Sequence, residues 1–131
     1  MTEGEKTEKI TINLGPVDLG QIDLLVQEGF YANRTDFIRT AIRHLLTTYA
    51  DEVTRTVARK TLVLGVHSYH RQDLELVRAA GETVQINVLG LASIADDVSA
   101  ELALATIDSV VVLGAFRASS AVKTALAGRI R

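Results

Sequence analysis

One strand-like stretch near the N-terminus constrains this chain more than any other feature. From Lys9 to Leu14 the residues alternate strictly, with Ile10, Ile12 and Leu14 on one face and Lys9, Thr11 and Asn13 on the other. That is the period-2 pattern of a half-buried strand. Gly15-Pro16 ends it, and the next dozen residues have helical spacing. Leu19, Ile22, Leu25 and Val26, with Pro16 in the first turn and Gly29 past the end, predict a helix over about residues 17–28. Gly20 weakens it slightly. A second helix is capped by Asn33, carries Asp36 in its first turn, and shows one apolar stripe through Phe37, Ile38, Ala41, Ile42, Leu45, Leu46 and Tyr49. One strand and two helices in so short a segment leave the strand's backbone groups unpaired and bury too little surface to be stable alone. A second copy of the same segment supplies what is missing. Two identical strands can pair antiparallel about a two-fold axis, with the helical stripes packed beneath them.

Such pairing turns the apolar face of the strand inward, so that two copies of Lys9, Thr11 and Asn13 project together from a two-stranded ribbon. A ribbon of this kind fits the major groove of B-form DNA. A cation, a hydroxyl and an amide suit its base edges, the amide being able to address adenine in bidentate fashion. The order Lys9-Ile-Thr-Ile-Asn-Leu14, short helix, Gly29-Phe-Tyr-Ala-Asn-Arg-Thr-Asp-Phe-Ile-Arg39 resembles the ribbon-helix-helix family of DNA-binding proteins, of the Arc, MetJ and CopG type, over about residues 8–49. The resemblance implies that the start of the second helix grips a DNA phosphate, and Asn33, Arg34 and Thr35 match that place. Unsatisfied N–H groups and the positive end of the helix dipole suit an anion there. Arg39 and Arg43, four residues apart, fit either a phosphate-facing surface or a solvated helix face paired with acids such as Asp36.

Beyond Thr61 the chain changes character, to short valine- and leucine-rich runs meeting glycine, each followed by a helix-like segment. Val88-Leu89-Gly90 aligns with Val112-Leu113-Gly114 at a spacing of 24 residues, Val98 with Val122, and Leu102 with Leu126. Val63-Leu64-Gly65 begins a weaker copy one residue out of phase. The expected fold is therefore α+β: an N-terminal ribbon-helix-helix unit followed by a small α/β domain of strand-turn-helix repeats with a parallel sheet. The alternative is a ferredoxin-like βαββαβ domain with strands near 61–67, 83–89, 91–95 and 109–115. The domain plan is a flexible arm over residues 1–8, the DNA-binding unit over 9–50, a segment over 51–60 that is either a helical extension or a connecting arm, and the repeat domain over 61–131. Gly65, Gly90 and Gly114 read as tight turns closing strands, and Asp96-Asp97 as a turn leading into a helix.

Chemistry other than binding finds little support. The 131 residues include no cysteine, which removes disulfides, thiolate metal sites and cysteine nucleophiles. No phosphate loop, dinucleotide fingerprint or hydrolase triad occurs, so no enzyme and no cofactor are expected. Metal binding has only His67 and His70 as weak candidates, against three histidines in all. A net charge of −2 does not exclude a DNA reader, which needs positive potential on one face only. No apolar run spans a bilayer and no signal peptide is evident, so a cytoplasmic protein without a membrane partner is expected. The expected function is a sequence-specific, homodimeric transcriptional repressor. Residues 61–131 would add assembly to a tetramer or higher. The competing readings are an antitoxin-like protein that binds a partner and regulates its own gene, and a repressor responsive to a metal or small molecule.

Overall fold

The computed structural model describes residues 7–131, which form two compact units, Thr7–Thr56 and Val57–Arg131. The first six residues of the expected arm lie outside the described residues.

In the first unit, α1 (Pro16–Gln27) starts with its proline in the first turn. It ends where Gly29, at φ +86°, donates to the Val26 carbonyl while Phe30 donates to that of Leu25. This pair of bonds caps orphan carbonyls and calls for a left-handed residue. The second helix, α2 (Arg34–Thr48), is followed after Tyr49 by α3 (Ala50–Arg59), so the segment after α2 is helical as far as Arg59. Residues 7–15 form no strand. The expected strand at Lys9–Leu14 pairs with no strand among the described residues, and a ladder needs two. Among the described residues of this unit Ile22 is the one buried hydrophobic, and α2, despite its apolar stripe, buries none.

The second unit carries its own core. Strands β1 (Val63–Tyr69), β2 (Val84–Ile94) and β3 (Ile107–Arg117) form a parallel sheet in the order β1-β2-β3. Helices α4 (Arg71–Ala79), α5 (Ala100–Thr106) and α6 (Ser120–Ala125) follow the strands in turn and pack against one another, α4 on α5 and α5 on α6. Leu74 of α4, Leu102 and Ala103 of α5, and Val122 of α6 meet Ile86, Val88, Ile107 and Val110 of the sheet in one buried cluster. Parallel strands joined through helices are expected to be covered in this way. The turn at Asp96-Asp97 leads to Ser99, whose hydroxyl accepts from the Leu102 N–H and caps α5.

The residues aligned by the sequence repeat are partners across the sheet. Val63, Val88 and Val112 lie side by side, as do Leu64, Leu89 and Leu113. Two expectations change. Gly65, Gly90 and Gly114 do not close strands in tight turns; they stand inside the strands, in register with one another, at φ +126°, +138° and +121°. A Cβ on Gly90 would lie 2.2 Å from the Gly65 carbonyl oxygen, and one on Gly114 would lie 2.1 Å from that of Gly90. Absence of a side chain thus lets each strand approach the one before it, a demand that looks the same in sequence as a turn. The same fact removes the ferredoxin-like alternative. Its separate strands at 83–89 and 91–95 are one continuous β2 through Gly90, and the sheet has three parallel strands.

Alanine at Gly90 or Gly114 should therefore destabilise the second unit by at least about 2 kcal/mol, combining a strained left-handed backbone with a backbone clash. Urea denaturation of each variant, followed by circular dichroism, measures the loss. A midpoint unchanged from the parent would contradict the close-approach role.

Candidate nucleic-acid interface

The expected base-contacting residues Lys9, Thr11 and Asn13 are all exposed. So are their apolar neighbours: Ile10, Ile12 and Leu14 keep 75%, 57% and 41% of their surface in contact with solvent. Three alternating apolar side chains left open are unusual for a finished fold, and Leu14 borders a groove. Leu14, Ile22, Leu25 and Phe37, with Asp18 and Gln21, line a cavity of about 390 Å³. Along α2 and just beyond it, Ile42, Leu45, Leu46 and Tyr49 are likewise uncovered.

The start of α2 is closely organised. Tyr31 packs edge-on against Phe37 with ring centres 5.0 Å apart, holding the turn that leads into the helix. The Asn33 side-chain oxygen accepts from the Asp36 N–H at 2.8 Å, and the Asp36 carboxylate accepts from the Ala32 N–H at 2.9 Å. These reciprocal bonds fix the cap. They also leave the first-turn N–H groups of Arg34 and Thr35 without an intrahelical acceptor. Asn33, Thr35 and Arg39 line a shallow depression of about 360 Å³ together with Ala32 and Asp36.

Arg34 is placed differently from its two expected companions. Its guanidinium donates two bonds, each 2.8 Å, to the two carboxylate oxygens of Asp23 on α1. The hydrogen bonds from Arg34 hold the Asp23 carboxyl below the usual carboxylate range, and the same bonds raise Arg34 above its ordinary value. Because the carboxyl is depressed, the pair's support for the fold is present above the ordinary carboxylate range and is lost as pH falls from that range through the lowered value. Asp23 lies eleven residues before Arg34 and shares no local motif with it, so the partnership left no signal in the sequence. Arg39 stands at the depression, and Arg43 comes one turn later along the exposed face.

The two metal candidates are not brought together with further ligands. His67 sits in β1 in register with Ala92, and His70 precedes α4, its N–H donating to the Asp73 carboxylate at 3.0 Å. Among the described residues no three histidine, cysteine or acidic side chains cluster as a metal would need. Nor is any helix there long and apolar enough to cross a membrane.

A family model described as the ribbon-helix-helix transcriptional regulator family matches residues 5–123. No curated protein and no solved structure matches the chain.

The Asn33 cap gives a direct expectation. Asn33→Ala should lose about 1 kcal/mol of stability, while Asn33→Asp, which keeps an acceptor in place, should lose little. Thermal melts at one fixed protein concentration measure both. Equal losses in the two variants would show that the side-chain acceptor is not what matters.

Proposed function

The chain belongs to the ribbon-helix-helix transcriptional regulator family, and from that premise we propose that it is a sequence-specific DNA-binding repressor that works as a homodimer. Two copies of residues 9–14 pair antiparallel, and Lys9, Thr11 and Asn13 of both enter the major groove. The observation that carries this reading is the open apolar face of Ile10, Ile12 and Leu14 beside an apolar groove, in a unit whose described residues include one buried hydrophobic. A second copy covers that face and completes the ladder in one step. The domain plan that goes with it is a ribbon-helix-helix unit over residues 9–50 and strand-turn-helix repeats over residues 61–131.

Phosphate contact falls to the start of α2. Asn33 and Thr35 offer side chains, Arg34 and Thr35 offer backbone N–H groups, and the helix dipole adds positive potential. The Arg34 guanidinium, already bound to Asp23, serves to fix α1 against the start of α2, and Arg39 supplies a cation at the depression. Such contacts position the protein, while the ribbon specifies sequence. The repeat half gives assembly, which raises avidity for adjacent half-sites. Its buried core favours this role over the antitoxin-like alternative, in which the partner-binding tail orders only on binding. A reader of chromosomal DNA of this kind acts in the cytoplasm, and the proposal includes no catalytic step and no cofactor.

Fluorescence anisotropy with a duplex from upstream of the protein's own gene, at two salt concentrations and against a scrambled duplex, tests the proposal. Binding should be selective and weaken with salt. Thr11→Ala and Asn13→Ala should each cost about 1–3 kcal/mol of discrimination while leaving the fold intact. Undiminished selectivity in both variants would refute the base-contact assignment.

A further inference from the structure

The two edges of the sheet are finished differently. Beyond β3, residues 129–131 meet the start of the edge: Ile130 bridges to Val110, the Arg131 N–H donates to the Val110 carbonyl at 2.8 Å, and the Arg129 guanidinium donates to the carbonyls of Leu104 and Ile107. Beyond β1 there is no further strand among the described residues. Its sequence, Val63-Leu-Gly-Val-His-Ser-Tyr69, holds no lysine, arginine, acid or proline, the residues that ordinarily protect an open edge. Val63, Leu64 and Val66 are 48%, 65% and 60% exposed. At Gly65 a Cβ would meet nothing within 4 Å, whereas at Gly90 and Gly114 the same direction is filled by the preceding strand.

We propose that the open edge of β1 is the docking surface for a second copy of this chain, whose own β1 pairs with it antiparallel about a two-fold axis. The proposal rests on the assembly role given above to residues 61–131 and names the surface that performs it. The occupant has to be a strand, since what the edge offers is a row of backbone N–H and C=O groups, and it has to be uncharged and apolar to meet Val63, Leu64 and Val66. Within this unit's sheet, β2 has both sides paired, while β3 is bridged at Val110 by Ile130 and Arg131 and carries Asp108 and Arg117 along its length. The β1 of another copy, which carries no charged residue, is therefore the better match to this edge. Pairing β1 with β1 closes after a single contact, which is the behaviour of an isologous interface.

Because the chain has no cysteine, a single introduced one reports its own neighbourhood. Cysteine is placed singly at Val63, Leu64, Val66 and Ser68 of the full chain, and at Leu76 on α4 as an exposed control away from the edge; each variant is oxidised with copper phenanthroline. The expected result is a covalent dimer in most of the protein for at least one β1 position and none for Leu76→Cys. Adding Val66→Lys should abolish that crosslink and, by sedimentation, raise the concentration needed for association at least about tenfold. Thr11→Cys, oxidised alongside, reports the ribbon pairing independently. A crosslink at Thr11 with none at any β1 position would overturn the edge proposal and leave the ribbon standing. Assembly beyond the ribbon dimer that persists without any β1 crosslink would keep the assembly role and reject this surface.

Discussion

Among the described residues, the backbone of residues 9–14 joins no ladder, and the three apolar side chains that alternate along it stay exposed. Unpaired backbone groups and open apolar area are each unfavourable, and both are relieved by one event, the pairing of two copies. The proposed DNA-binding half depends on that event. In the proposed pairing, Lys9, Thr11 and Asn13 would be doubled into a six-residue reading surface, the stripe on α2 would be buried, and two copies of the Asn33 cap would stand in a fixed relation to the ribbon. Stability, specificity and oligomeric state would then be one property, and a mutation that weakens any of them weakens the rest.

The second unit solves the same problem within the chain. Its three strands satisfy one another's backbone groups, and α4, α5 and α6 cover a buried cluster running from Leu74 to Leu126. The glycine row at positions 65, 90 and 114 shows how closely the repeats are matched, since each carbonyl occupies the volume where the next residue's side chain would stand. What the unit leaves unfinished is β1, and that edge gives it a reason to meet its copy.

Much of this was legible in the residues, for identifiable reasons. The Asn33 cap, the proline-initiated α1 and the Gly29 stop are local devices, and local devices can be read one at a time. The 24-residue repeat placed Val88 beside Val112 because stacked repeats put equivalent residues in register. Non-local facts were not legible. The Asp23–Arg34 pair joins two helices with no shared motif, so the partner of the Arg34 guanidinium left no trace in the sequence. Glycine carries two meanings, turn and close approach, and only the strand continuing through Leu91-Ala92-Ser93-Ile94 tells them apart. The expected strand at Lys9–Leu14 is the opposite case: its pattern is plain in the sequence, while the described residues form no ladder there.

Amide hydrogen exchange across Lys9–Leu14 in the free full-length protein, measured over a range of protein concentrations, bears most directly on the claim that this segment becomes a strand by pairing with its copy. Pairing predicts slow exchange in these amides at high concentration, with protection lost on dilution as the dimer dissociates. Fast exchange at every concentration, in a protein whose α1 and α2 amides remain protected, would contradict it.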